Sequence, residues 1–484
     1  MVVMTSKLGR LEGVDLGGAE RYLNVPYAAP LRGGARFREA EPRRPWTGVR
    51  DATRPGPTSP QPEVDNPLHG RLASPGWIKG DDVLSVNVWT PGRAGAAPVA
   101  VWIYGGAFKE GNAALPLYDG TGFARNGVVL VTINYRVGVE GFLPVEGSVN
   151  RGLHDQVHAL EWVRENIADF GGDPGRVTIF GQSAGGMSVA SLVATPSARG
   201  LFHAAVNQSG PLGFPGAREE GEATARALAA LCEVPLSAAG LARVEPERLL
   251  AAGVQLTGNA GAALTPAPYT LGVVAEPEFV PWHGTRARAD RFASRVPLLA
   301  GFTSDEFGLF GWPDPELTDA EAVAAIEQRG IDGARALAAV RTAASSLAAG
   351  TVVRKLSEQS FFVSPILEWL ADARAEGLDA WAYEFGWRTK AFDGVPGAYH
   401  NLDIPFVFDL LDAEAVVDMT GPQPPLALRD QVHGDWRTFF AEGALPRERY
   451  DGTFETVRRY GEETGASPTE SFRALYLAHV RSAS

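Results

Sequence analysis

Residues 176–190 read Arg-Val-Thr-Ile-Phe-Gly-Gln-Ser-Ala-Gly-Gly-Met-Ser-Val-Ala. Val177 to Phe180 is a run of β-formers, Gly181 to Gly185 is a Gly-x-Ser-x-Gly turn, and the small residues after it open a helix. A turn of this kind holds Ser183 in a strained backbone and projects its hydroxyl from the end of a strand. Gly181 and Gly185 are expected because a Cβ at either would clash where strand and helix cross. The following helix N-terminus favours developing negative charge. Gly is 56 of 484 residues, so chance alone supplies roughly 0.3 such motifs in a chain of this composition. The flanking pattern, more than the motif, therefore points to a serine nucleophile and acyl transfer.

Working outward, Val99 to Tyr104 and Val128 to Asn134 read as buried strands, and the first ends in Gly105-Gly106. Residues 155–169 carry Val157, Leu160, Val163 and Ile167 on one helical stripe. Further strands are expected at Phe202 to Asn207, 296–301 and 381–385, with Ala-rich helical stretches at 218–260 and 319–350. The N-terminal 95 residues alternate short β-like runs with Pro and Gly, and 54–67 is loop, read as part of a flap over a site. Strands alternating with helices predict an α/β fold with a central, mostly parallel sheet covered on both faces. One domain over 1–484 is expected, with helical cap or regulatory insertions around 218–290 and 312–372.

The net charge of −13 argues against nucleic acid and anionic membrane surfaces as partners. The single cysteine, Cys232, forbids an intrachain disulfide and reads as a buried small hydrophobe. No signal-peptide pattern and no apolar run of about 18 residues is present, so the expected location is cytoplasmic. The eight histidines show no metal-ligand pattern, so neither metal nor cofactor is expected.

An activated serine needs a base, an orienting acid and an oxyanion hole. Tyr104-Gly105-Gly106-Ala107-Phe108, directly after a buried strand, supplies unencumbered N–H groups, and the N–H of Ala184 follows the nucleophile. On a strand–turn–helix scaffold of this kind the acid and then the base follow the serine. The histidines after the serine are His203, His283, His400, His433 and His479; His203 is too near in sequence, and His433 and His479 fall in helical patterns expected at the surface. His400 lies in a loop after the 381–385 strand, where a base belongs. Thr303-Ser304-Asp305-Glu306 follows the 296–301 strand, and either carboxylate qualifies as the acid.

Taken in order, several blocks resemble one family. They include Leu23 to Ala28, Ala35 to Phe37, Asp81 to Trp89, Asn134-Tyr135-Arg136, Gly152 to Gln156, Phe170 to Pro174, the Ser183 turn, Asp305-Glu306 and His400 to Phe408. The chain is similar to bacterial type-B carboxylesterases of the para-nitrobenzyl esterase kind, and more distantly to cholinesterases, from about residue 8 to 440. The resemblance implies an α/β-hydrolase fold and a Ser183–Glu306–His400 triad. It further implies oxyanion donors at Gly106, Ala107 and Ala184, and Ser209 and Gly105 close behind the site. Arg36 with Asp81, and Arg136 with Asp155, resemble structural ion pairs of the family. Ala107 replaces a glycine, Gln182 and Asp403 each replace a glutamate, and Val83 replaces a cysteine. None of these removes a catalytic group.

The expected reaction is hydrolysis of a small-molecule carboxylic ester through an acyl-Ser183 enzyme, falling off below neutral pH as His400 is protonated. An amidase or carbamate hydrolase using the same triad, an interfacial lipase, and a non-catalytic binding scaffold are the rival readings. Loops 62–78, 262–283, 307–315 and 386–396, with Phe108, Phe307, Phe310, Trp312 and Trp387, are candidates to line the acyl and alcohol pockets.

Overall fold

The computed structural model describes residues 1–63, 76–212, 216–258, 269–277, 279–280, 291–310, 316–328, 331–343, 346–461, 469 and 472–473. Its strands are β1 (Val2–Ser6), β2 (Gly9–Asp15), β3 (Glu20–Pro26), β4 (Val49–Asp51), β5 (Ser85–Thr90), β6 (Ala97–Ile103), β7 (Val129–Ile133), β8 (Gly172–Gln182), β9 (Ala204–Gln208), β10 (Leu298–Thr303), β11 (Ala380–Phe385) and β12 (Val457–Tyr460). They form one sheet in the order β1-β2-β3-β5-β7-β6-β8-β9-β10-β11-β12, with β4 beside β2. The pairs from β1 to β7 along this order are antiparallel, β4 lies parallel to β2, and from β7 to β12 every pairing is parallel.

The longer helices are α1 (Arg151–Asn166), α2 (Ala184–Ala194), α3 (Arg218–Leu231), α4 (Pro246–Thr257), α5 (Asp319–Glu327), α6 (Gly333–Ala343), α7 (Ala349–Glu358), α8 (Ser364–Ala375) and α9 (Leu426–Glu442). Val99 to Ile103 of β6 and Val129 to Leu130 of β7 are fully buried, as expected of parallel strands covered on both faces. The Ala-rich segments form helices, but they leave the main core. Ala225, Leu228, Cys232, Leu241 and Leu249 pack with Phe37, Val139 and Leu143 in a separate cluster, where Cys232 is buried. A third cluster joins α5, α6 and α7 through Ile326, Leu337, Val353 and Leu356. Among the described residues no helix is long and apolar enough to cross a membrane.

Several expected boundaries move. β8 begins at Gly172, five residues early, because Gly172 pairs with Ala97 before an irregularity in register. α1 begins at Arg151, directly after Asn150 turns the chain in the left-handed region at φ 51°.

This topology also fixes where a site can form. From β6 the chain crosses to β7 on one side, then returns to β8 on the other. The carboxyl ends of β6 and β8 therefore flank a switch point, where an open α/β sheet leaves a crevice. Gly105-Gly106 follows β6 and Ser183 follows β8.

Candidate active site

Ser183 is the N-cap residue of α2, with φ 58° and ψ −125°. A non-glycine residue reaches that conformation only when its surroundings enforce it. Here the Ser183 N–H is bonded to Gln208 O at 2.9 Å, and Met187 N–H donates to Ser183 O at 2.9 Å. The two glycines are needed for close approach. A Cβ on Gly185 would stand 1.9 Å from Ile103 O, and one on Gly181 would stand 2.6 Å from the Gly185 carbonyl carbon. The helix thus sits almost on the end of β6, and this brings two loops together. A Cβ on Gly105 would lie 3.0 Å from Ser183 Cβ and 2.7 Å from Gln182 O.

The turn after β6 runs through three successive positive-φ residues and closes on its own carbonyl. Gly106 has φ 106°, Ala107 φ 52° and Phe108 φ 61°, and the Lys109 and Glu110 N–H groups both bond back to Gly106 O. The Gly106 and Ala107 N–H groups make no hydrogen bond among the described residues. The Ala184 N–H belongs to the first turn of α2, where no helical partner exists. Three backbone donors are therefore available beside Ser183. Lys109 anchors the turn at its far end, its Nζ donating to Thr257 O at 2.5 Å at the end of α4. Burial pulls its amine down to about 8.

Glu306 and His400, the expected acid and base, emerge from the same end of the sheet as Ser183. Gln182 pairs with Gln208, Gln208 with Gly301, and Gly301 with Tyr383, one row across β8, β9, β10 and β11. Glu306 follows β10 and is fully buried, and His400 lies in the loop after β11 with 2% exposure. Glu306 Oε1 accepts the Thr303 N–H at 2.9 Å, which turns Oε2 toward His400 Nδ1 at 2.5 Å. The imidazole is flanked by Phe310 and Phe362, with ring centroids 5.4 and 5.2 Å away. Its Nε2 is buried and makes no hydrogen bond among the described residues.

Behind His400 lies a second carboxylate. Asp403 Oδ2 accepts from Gln208 Nε2 at 2.9 Å and from the Tyr383 hydroxyl at 3.1 Å, and Gln208 Oε1 accepts from Trp436 Nε1. Burial pushes Asp403 up to about 6, with the Glu306 charge adding to it and the Gln208 and Tyr383 hydrogen bonds opposing. Ser209 is fully buried with φ 51°, its N–H on Gly301 O. Its hydroxyl oxygen makes no hydrogen bond among the described residues.

The family model for the carboxylesterase family matches residues 1–444. The chain belongs to the carboxylesterase family. It is 34% identical over 455 residues to the para-nitrobenzyl esterase of Bacillus subtilis, covering 91% of this chain and 90% of that protein. It is 35% identical over 464 residues to a phenmedipham hydrolase of Pseudarthrobacter oxydans, covering 91% of each. A solved PNB esterase structure superposes with a TM-score of 0.82 at 31% identity, over 98% of this chain and 99% of that one. The fold is accordingly that of the α/β hydrolases, and the protein is a carboxylic ester hydrolase.

Within this carboxylesterase some expectations need correction. His433 is buried, its Nδ1 2.8 Å from Val407 O and its ring against Phe123, because it lies on the inner face of α9. His203 is remote for a geometric reason: its Nδ1 accepts the Val177 N–H, midway along β8 and six residues short of Ser183. Arg136 and Asp155 do form a buried bidentate pair at 2.6 and 2.7 Å. Arg36 instead pairs with Glu140, and Asp81 is taken by Arg32, because one 3-10 turn places Arg36 against the protein and leaves Arg32 toward solvent. Among the candidate pocket aromatics, Phe310 reaches the imidazole, Phe307 packs on Phe362, Phe108 on Phe142 and Trp387 on Phe406. Trp312, His283, His479 and parts of loops 62–78, 262–283 and 307–315 lie outside the described residues. Phe362 escaped the sequence reading because it is delivered by a π-helical turn, Gln359–Val363, and only helix geometry puts it there.

Proposed function

We propose that this carboxylesterase hydrolyses small-molecule carboxylic esters through an acyl-enzyme on Ser183, with His400 as base and Glu306 as the acid that orients it. The observation that carries this is the buried Glu306–His400 pair at 2.5 Å, rising from the same sheet end as a serine held at φ 58°. Ser183 Oγ attacks the ester carbonyl while its proton passes to His400 Nε2. The Gly106, Ala107 and Ala184 N–H groups take the oxyanion, each worth about 3 kcal/mol in sites of this kind. The carbonyl re-forms, the C–O bond to the alcohol breaks, and His400 returns the proton to the leaving oxygen. Water then gives its proton to His400 and attacks the acyl carbon, the acyl C–Oγ bond breaks to release the acid, and His400 returns the proton to Ser183 Oγ. Glu306 keeps Nδ1 protonated throughout and stabilises the imidazolium.

The test is turnover of a short-chain para-nitrophenyl ester series, with a para-nitroanilide and an aryl carbamate alongside, by wild type and Ser183→Ala. Ester turnover that disappears in the variant, with circular dichroism unchanged, is expected. Equal rates in both proteins refute Ser183 chemistry. Faster cleavage of the carbamate or anilide reassigns the substrate class while keeping the triad.

A further inference from the structure

Two adjacent carboxylates follow β10, and only Glu306 faces His400. Asp305 turns away from it and joins three segments. Its backbone N–H donates to Ala398 O at 3.0 Å, and its Oδ2 accepts the Ala398 N–H at 3.0 Å. With the His400 N–H on Glu306 O at 3.3 Å, the acid turn and the base loop form a short parallel pairing, Asp305 opposite Tyr399. Gly397 permits the approach: it sits at φ 70°, and a Cβ there would lie 2.4 Å from Asp305 Oδ2.

The third segment is α7. Lys355 Nζ lies 3.0 Å from Asp305 Oδ1 and donates to Ser304 O at 2.6 Å. One turn on, Glu358 Oε1 accepts the Phe307 N–H at 3.3 Å and Oε2 pairs with Lys355 at 3.0 Å. The π turn directly after Glu358 carries Phe362 against His400. One helix therefore touches both sides of the acid residue and the face of the base.

We propose that Asp305, gripped by Lys355 of α7, is a positioning residue that straps the acid turn to the base loop and so holds Glu306 on His400 Nδ1 through the catalytic cycle. Burial would raise the Asp305 carboxyl, but the Lys355 and Arg388 charges and the Ala398 N–H outweigh it and hold it at about 2. The strap is therefore charged across the working range. The charged groups around it are Arg354, Lys355 and Glu358 from α7, Arg388 from the loop after β11, and Glu384, which accepts from Ser304. His400 itself faces Glu306 and, on its own loop, Asp403.

The inference rests on the Ser183–His400–Glu306 reading, so Ser183→Ala is run in the same assay. Activity surviving in that variant overturns the triad, whereas the strap is judged on kcat per active site, counted by stoichiometric release from a para-nitrophenyl phosphonate. Asp305→Asn and Lys355→Met are each expected to lower kcat by about tenfold or more with KM within about threefold, since the acid–base geometry loosens while substrate contacts stay. Both are expected to move the acid limb of the kcat profile to lower pH, because a loosened Glu306 supports the imidazolium less. Through-space charge alone would move the two limbs in opposite directions, since one variant deletes a negative charge and the other a positive one. Opposed limb shifts, or unchanged kcat and limb in folded variants, overturn the proposal. Arg388→Gln removes a half-exposed anchor from Oδ2 and should leave the fold intact. It is expected to lower kcat about two- to fivefold, with the same direction of limb shift. Should the other two variants fail to fold, an Arg388→Gln enzyme with wild-type kcat and limb overturns the strap.

Discussion

Glu306→Gln changes one oxygen to an amide nitrogen and should nearly abolish turnover. In the native protein Oε1 is committed to the Thr303 N–H at 2.9 Å and Oε2 to His400 Nδ1 at 2.5 Å, with no solvent at either. A glutamine has two ways to fit. With its oxygen on the Thr303 N–H, its NH2 meets Nδ1, which must then accept. The ring proton is forced onto Nε2, the atom that has to take the proton of Ser183. Flipped, the amide restores the useful tautomer but sets NH2 against the Thr303 N–H. Two buried donors then face each other, at a cost of about 1–3 kcal/mol for each group left unsatisfied. The inactive arrangement dominates, and the charge that stabilises the imidazolium is lost in both. A wrong-tautomer substitution of this type costs about 10⁴ in kcat in another serine hydrolase, so a fall of about 10³–10⁴, or about 4–5.5 kcal/mol of barrier, is expected here. KM should change little, because Glu306 touches no substrate in this mechanism. The assay is steady-state para-nitrophenyl butyrate hydrolysis at pH 7.5 on titrated active sites, with thermal melting to confirm folding. Glu306→Ala, which leaves the ring free to choose its tautomer, is the control. A Glu306→Gln enzyme within tenfold of wild type, or well above Glu306→Ala, would refute the argument.

Three further outcomes follow from packing and charge. Gly185→Ala places a methyl 1.9 Å from Ile103 O and 2.9 Å from Tyr104 O, so the Ser183 turn and the Gly105-Gly106 turn must separate by more than an ångström. A kcat loss of about 10²-fold with a lower melting temperature is expected, and unchanged kinetics would contradict the close crossing. Asp403 is raised in the folded state from 3.8 to about 6, so the native protein holds a proton that the unfolded chain releases. Its contribution to stability therefore falls as pH rises from about 4 to 6 and stays unfavourable above that, by about 3 kcal/mol. Asp403→Asn should gain stability relative to wild type between pH 4.5 and 7.5 in urea unfolding, and a pH-independent difference would contradict the raised carboxyl. Arg136→Met leaves Asp155 buried without its bidentate partner, which typically costs about 3–5 kcal/mol. Stability should fall while kcat per titrated site stays near wild type, and a selective loss of kcat would place this pair in the site after all.

The strand, turn and helix around Ser183 were legible because each rests on local chemistry: β-branched residues before the turn, glycines within it, small residues after it. The Gly105-Gly106 turn was legible for the same reason. His400 and the Asp305-Glu306 pair were recognisable as strand-end loops, and the family resemblance pointed to Glu306, but spacing by itself left open the division of labour between the two carboxylates. It depends on which oxygen the Thr303 N–H captures and on where Lys355 and Arg388 arrive from 50 and 83 residues away in sequence. The resemblance paired Arg36 with Asp81, and the structure overturns this because the 3-10 turn at Gly33–Phe37 sets Arg36 on Glu140 and leaves Asp81 to Arg32.

By itself the sequence determined the α/β class, the strand–turn–helix around Ser183 and the strand-end places of Glu306 and His400, since periodicity, glycine placement and strand ends are properties of short segments. Tertiary structure alone decided that β6 lies between β7 and β8, which sets the Gly105-Gly106 turn beside Ser183. It alone decided that Asp403 stands behind His400, that α7 grips the acid turn, and that a π turn lays Phe362 on the imidazole. Those facts are contacts between segments far apart in the chain. Their energies come from burial and from charges brought together only on folding, and no local pattern encodes them.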